Sequence, residues 1–396
     1  MVEFADTKDE AVFRSDVREF IEANAPQRDG EGFGFGGGGM TPAVRKAFEA
    51  WRDALVERGW IAPHWPEEWG GAGLTVKEQF ILNEELAEAG TGNVGGFGVM
   101  MLGPTLIVHG TEEQKEEHLS KILKGEVSWC QGWSEPGSGS DLASLQTRAV
   151  RDGDEFVING QKIWTSGAQI ADSMYMLART DPDAPKHRGI SFFMFSMKSE
   201  GVSVRPLEQM SGARGFNEVF FEDVRVSATN MVGEENRGWY VGATLMDYER
   251  SGIGNSVGTQ RRLNRLLTAA KELPGEQSML DRNNRIRLTF ADRFIDASVA
   301  LLFSKRITTM QSHDQIPNYE ASAAKLFSSE MGQKIASLNI KLFGLYGNMA
   351  DKEREEAQKG AAARGYLQAV SSTIAGGTSE IQRNIIATRG LGLPRG

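Results

Sequence analysis

Two short segments place small, polar and aromatic residues in a pattern suited to a flat polar ligand. Trp133-Ser134-Glu135-Pro136-Gly137-Ser138-Gly139-Ser140-Asp141 joins a proline that fixes the local backbone to glycines that admit unusual dihedrals. That combination lets backbone N–H groups wrap the edge of a ligand. Further along, Lys162-Ile163-Trp164-Thr165-Ser166 supplies an indole and two hydroxyls that can cover a flat heterocycle and hydrogen-bond its rim. Each also has a plain reading, the first as a Gly/Ser turn and the second as a strand whose tryptophan belongs to a core. Near the C-terminus, Gly376-Gly377-Thr378-Ser379-Glu380-Ile381-Gln382-Arg383 reads as a helix start with a capping hydroxyl. Its free N–H groups and positive dipole end would also suit an anionic edge. One carboxylate stands out as well, in Asp247-Tyr248-Glu249-Arg250. Such a run is usual on a solvated helix face. The following Ser251-Gly252-Ile253-Gly254-Asn255-Ser256 argues otherwise, because each exposed helical glycine costs about 1 kcal/mol and is better used where a helix lies close to a ligand.

Three textures along the chain must position these residues. Apolar and charged positions alternate at helical spacing over 8–24, 42–58, 75–90 and 112–123. Thr41-Pro42 gives the second of these a capping hydroxyl and a proline at the first helical position. Residues 149–160 read as two strands around Asp152-Gly153-Asp154, and 173–178, 190–196 and 218–226 as further strands. From 234 onward long helical patterns return over 235–272, 282–312, 317–343 and 353–373, with a last short helix after Thr378-Ser379. The expected architecture is α+β: an N-terminal α-helical domain (1–128), a middle β-domain (129–233) and a C-terminal helical domain (234–396). Gly32-Phe33-Gly34-Phe35-Gly36-Gly37 formally fits a dinucleotide fingerprint, but the segment before it reads as helix and not as strand.

Composition narrows the function classes. A chain of 396 residues exceeds one compact core. Its 44 basic and 53 acidic residues give −9, which argues against a general nucleic-acid or anionic-membrane surface. A single cysteine, Cys130, rules out an intrachain disulfide and suits a reducing compartment. His64, His109, His118, His187 and His313 show no metal-ligand spacing, so no metal is expected. The N-terminus is acidic and polar, no apolar run is long enough to span a bilayer, and a cytoplasmic protein is expected.

Taken together, the Trp133–Asp141, Lys162–Ser166 and Gly376–Arg383 segments resemble the flavin-binding signatures of the acyl-CoA dehydrogenase family, over nearly the whole chain. The resemblance implies an N-terminal α-helical domain, a middle β-barrel-like domain and a C-terminal four-helix bundle. It implies FAD, with Trp164 against the isoalloxazine, Thr165 beside it and Ser166 near N5, and with Gln131, Trp133, Ser134, Gly139 and Ser140 making further contacts. Thr378, Ser379 and Glu380 would complete the cofactor site. Many family members carry a catalytic Glu where this chain has Gly376. In isovaleryl- and long-chain-type members the base stands instead on a C-terminal-domain helix before an Arg, which implies Glu249 as base and Arg250 as its support. Such a base needs a positioned carboxylate and a polarised thioester carbonyl, and the Gly376 N–H, with Ser140, would contact the substrate. The implied reaction yields a trans-2-enoyl-CoA, with hydride passing to flavin N5 and electrons then to an electron-transfer flavoprotein. A homotetramer, a dimer of dimers, is implied.

Departures from the pattern qualify this picture. The segment from Lys271 to Arg287 lacks the family's R-x-x-F-G element, and Lys341-Leu342-Phe343-Gly344-Leu345 replaces its Gln-x-x-Gly-Gly element. These changes, with Lys186-His187-Arg188-Gly189-Ile190-Ser191 and Gly390-Leu391-Gly392-Leu393-Pro394-Arg395, resemble a bacterial branch acting on steroid side chains and other bulky acyl-CoAs. Some members of that branch are built from two different subunits. Two other readings therefore stand: a flavin oxidase of nitroalkane-oxidase type, and a cofactor-completing subunit of a heteromer.

Overall fold

A computed structural model describes residues 5–26, 41–91, 94–250, 255–272, 279–350 and 359–394, and for Asp247–Arg250 the helical backbone alone. The glycine-rich Gly32–Gly37, the run Ser251–Gly254, much of the Lys271–Arg287 segment and the start of the helix expected over 353–373 lie outside the described residues. Two compact units are present, Asn24–Leu74 with Asn93–Glu249, and Met1–Ala23 with Thr75–Gly92 and Arg250–Gly396.

The first unit is built on an eight-stranded mixed sheet. Its strands are β1 (Trp129–Gly132), β2 (Arg148–Asp152), β3 (Glu155–Ser166), β4 (Ser173–Arg179), β5 (Ile190–Ser196), β6 (Val202–Leu207), β7 (Phe216–Ser227) and β8 (Met231–Val232). They lie in the order β6-β7-β3-β2-β4-β5-β8, with β1 beside β4. The hairpin expected at Asp152-Gly153-Asp154 forms, with Asp152 opposite Glu155. β4 and β5 are buried almost throughout, as strands covered on both faces must be. β6 alternates with solvent and carries Pro206, which an edge strand tolerates because one side of it needs no ladder partner. Phe156, Ile158, Met174, Met176, Phe193, Val219 and Phe221 share one core. Burying each such side chain stabilises the fold by about 1.5–3 kcal/mol. Helices Pro42–Glu57, Gly103–His109 and Glu112–Lys124 belong to this unit, as does Gly238–Arg250 up to Glu249. Thr41 accepts from the Val44 N–H, as a capping hydroxyl should.

The second unit is helical. Asn284–Gln311 packs against Asn255–Lys271 and Tyr319–Phe343, around Leu263, Phe290, Ile335 and Leu338. Helix Lys8–Asn24 meets Val76–Ala89 through Arg14, whose guanidinium pairs with Glu84 and Glu85 at 2.6 Å each. Ala361–Ala369 and the short Ser379–Ile385 complete it. Among the described residues ahead of Gly32 stands this unit's first helix, as expected, and no strand. Among the described residues no helix is long and apolar enough to cross a membrane, and no cluster of His, Cys, Asp or Glu could hold a metal ion.

Candidate functional site

β1 delivers the chain into the Ser134–Asp141 loop. At its end Gln131 accepts a hydrogen bond from the Tyr175 hydroxyl at 2.9 Å. Trp133 is buried edge-on against Tyr175 and Phe192, and its indole N–H has no partner among the described residues. The loop folds on itself through reciprocal backbone bonds between Glu135 and Ser138. Gly139 and Ser140 are exposed, and open space lies where side chains at 137 and 139 would project. The Ser138 hydroxyl is buried without a partner among the described residues.

The facing strand, β3, breaks register with β7 between Lys162 and Thr165. Within that bulge Trp164 adopts φ +61° and leaves 59% of its surface exposed. A bulky residue in the left-handed region costs about 1–2 kcal/mol, and an exposed indole gains little burial to offset it. Asn217 stands opposite Thr165 and donates to its carbonyl at 2.9 Å, while Phe216 meets the Trp164 ring edge-on. The Thr165 hydroxyl is buried and unpartnered among the described residues; Ser166 is half-buried. An outward apolar plate beside orphaned donors and open backbone fits a flat heterocycle with a polar rim. The residues present therefore fit a flavin ring.

Helix Gly238–Arg250 carries Glu249 near its end. It lies close over the loop, since a Cβ on Gly242 would stand 3.1 Å from the Trp133 ring. Thr244 meets His109 at 2.9 Å. Burial holds the His109 imidazole below its ordinary value, so it faces Thr244 uncharged at neutral pH.

In the helical unit Gly376 and Gly377 adopt φ +62° and +84°. Gln382 Nε2 donates to both of their carbonyls, and Lys325 Nζ donates to Gly377 O at 2.7 Å. Thr378 caps Ser379–Ile385 by accepting from the Ile381 N–H. The Glu380 carboxyl is held below its usual range by its own backbone N–H and the Thr378 hydroxyl. The Ser379 hydroxyl and Gln382 Oε1 are buried without partners among the described residues.

The chain matches the acyl-CoA dehydrogenase N-terminal domain over residues 7–126, the middle domain over 130–224 and the C-terminal domain over 236–391. It belongs to the acyl-CoA dehydrogenase family. Acyl-CoA dehydrogenase IpdE1 of Mycobacterium tuberculosis is 37% identical across 97% of both chains. A solved structure titled Tcur3481-Tcur3483 steroid ACAD is 33% identical with a TM-score of 0.84, covering all of both chains. The ChsE4-ChsE5 complex from Mycobacterium tuberculosis is 32% identical, again covering all of both chains, with a TM-score of 0.80. The chain is an acyl-CoA dehydrogenase, a flavoprotein oxidoreductase, and these relatives support that activity over nitroalkane oxidation.

In this dehydrogenase one unit holds Gln131, Trp133, Ser134, Gly139, Ser140, Trp164, Thr165, Ser166 and the backbone of Glu249. Arg250 falls in the other unit, with Gly376, Thr378, Ser379 and Glu380. Sequence reasoning passed over residues that hold the loop in place. Arg179, buried at the end of β4, donates to the carbonyls of Ala143, Leu145, Lys186 and Arg188. Asn217 was likewise unread. Lys162 did carry a signal: it follows Phe156 and Ile158 at the two-residue spacing that keeps side chains on the inner face of a strand.

Proposed function

We propose that Glu249 removes the α-proton of a bulky acyl-CoA thioester, with Arg250 supporting the site, and that the cofactor is FAD. The observation that carries the flavin part is Trp164, an exposed indole held in a left-handed backbone where neither burial nor local propensity would put it. Gln131, Trp133, Ser134, Gly139, Ser140, Trp164, Thr165 and Ser166 would hold the flavin, joined by Thr378, Ser379 and Glu380. Bound FAD would accept the β-hydride, leaving a trans-2-enoyl-CoA.

Gly376 bears on the choice of base. At φ +62° the position favours glycine over any side chain, which supports a carboxylate supplied from elsewhere. Its N–H is proposed to donate to the thioester oxygen, with Ser140 at the substrate. A lost donor of that kind costs about 3–4 kcal/mol in other enzymes. The steroid-type relatives support a bulky acyl group and assembly with a related subunit, the alternative being a homotetramer. An electron-transfer flavoprotein is the proposed acceptor, the cytoplasm the proposed location, and 1–128, 129–233 and 234–396 the proposed domains.

Anaerobic titration with a panel of acyl-CoAs, following flavin absorbance, tests this for wild type and Glu249→Gln. Bleaching by one acyl class in wild type, and none in the variant, is expected. A variant that bleaches normally removes Glu249 as base. Bleaching by straight-chain and bulky thioesters alike removes the substrate proposal.

A further inference from the structure

Between the Ser134–Asp141 loop and the Trp164 bulge lies an ion pair sealed from solvent. Lys162 is 0% exposed and Glu135 8%. Lys162 Nζ donates to Glu135 Oε1 at 2.8 Å and to the Trp133 carbonyl at 3.1 Å. Glu135 Oε1 also accepts from the Thr147 N–H at 2.9 Å, and Oε2 from the Gln146 N–H at 2.6 Å. The pair therefore grips the loop at both ends, at 133 and at 146–147. The same strand that carries Lys162 continues into Ile163, whose N–H donates to Ser134 O at 2.8 Å, and then into the strained Trp164.

Burying two charges is a poor way to gain stability. Desolvation costs several kcal/mol per ion, and well-packed apolar residues often serve a fold equally well. Burial pulls the Lys162 ammonium below its ordinary value, with Glu135 opposing it; burial works to raise the Glu135 carboxyl, and the Lys162 charge overcomes it. What a charge pair adds over an apolar one is direction, because both Glu135 oxygens accept from main-chain N–H groups and Lys162 Nζ donates to the Trp133 carbonyl.

We propose that Glu135 and Lys162 are positioning residues for the flavin, tying the 133–147 loop to β3 so that loop backbone and Trp164 indole present one preformed surface to the ring. This rests on the flavin reading above. It makes a loop amide and an aromatic plate, remote in sequence, answer to one buried contact.

The test compares wild type, Glu135→Gln, Lys162→Met and the double variant. FAD affinity of the apoproteins is read by fluorescence titration, the bound flavin by its absorption spectrum, stability by thermal melting, and the Gln146 and Thr147 amides by hydrogen exchange. Each single change is expected to weaken FAD binding at least tenfold, perturb the flavin spectrum and speed exchange at both amides. The double variant, with no unpaired buried charge, is expected to recover thermal stability but not FAD affinity. Recovery of both, or wild-type affinity in the single variants, overturns the proposal. Should the single variants not fold, the double carries the test. A double that also fails to fold assigns the pair to folding itself and overturns the positioning role. Wild-type protein that takes up no FAD sinks the flavin reading instead, and unchanged exchange at Gln146 and Thr147 in the apo variants then sinks the tie.

Discussion

Gly242 faces the ring of Trp133 so closely that an added Cβ would stand 3.1 Å from its far edge and 3.3 Å from Leu177. A helix otherwise loses about 1 kcal/mol by carrying glycine instead of alanine. The gain in propensity and the crowding nearly cancel for Gly242→Ala, and its melting temperature is expected within a few degrees of wild type. Gly242→Val must move the indole or the helix, at about 1–3 kcal/mol. Melting curves and flavin content after gel filtration check both, and a fully loaded, fully stable valine variant would show that the close approach has no consequence.

Trp164 sets strain against binding. Replacing it by glycine relieves about 1–2 kcal/mol of left-handed strain and adds about 0.5–1 kcal/mol of chain entropy to the unfolded state. Little burial is lost, since the ring is mostly exposed. The Trp164→Gly apoprotein is expected to melt at or slightly above the wild-type temperature while binding FAD at least tenfold more weakly. Calorimetry of the apo forms and a fluorescence titration separate the two effects; a large drop in apo stability would mean the indole belongs to the core.

Gly376 makes the complementary prediction. Any L side chain at φ +62° pays about 1–2 kcal/mol, so Gly376→Ala is expected to lower the melting temperature by several degrees. For the same reason Gly376→Glu is expected not to restore turnover to Glu249→Gln. Restored acyl-CoA dehydrogenation in that double variant would show that the site accepts a base from either position.

Part of the acid sensitivity should come from one histidine. Burial holds His64 at about 4, well below its ordinary 6.5. The unfolded chain therefore binds the proton more readily, and the stability involved is complete above pH 6.5 and declines as pH falls toward 4. The shift corresponds to about 3 kcal/mol at most. Burial also lowers His109 and His118, so all three act in the same direction. Melting temperature measured from pH 7 to pH 4 is expected to fall, and to fall less steeply in His64→Gln. Parallel slopes for the two proteins would remove His64 from the account.

Much of this fold could be read from residue types and spacing. The helix start at Thr41-Pro42 and the Asp152–Asp154 turn have local chemistry, and both formed as read. β5 matched residue for residue, its apolar run being covered on both faces. β1, β6 and β8 escaped notice because they are short or lie at an edge, and Pro206 hides β6 further. The helix at Gly103–His109 was missed, its composition being apolar all round with no amphipathic stripe to count. In the candidate site, Trp164 and the Ser134–Asp141 loop announced themselves by type. The ties among them did not, because Glu135 meets Lys162, and Asn217 meets Thr165, only when segments far apart in sequence come together.

Among the described residues Arg179 hydrogen-bonds main-chain oxygens alone, the carbonyls of Ala143, Leu145, Lys186 and Arg188. Such a clasp is blind to residue identity. The path of the outer loop can persist while the exposed side chain at 188 is exchanged, by drift or by an engineer; Ala143 and Leu145 are themselves buried, and Lys186 pairs with Asp141. At that exposed position the outer contour is thus open to rewriting without renegotiating the backbone beneath it.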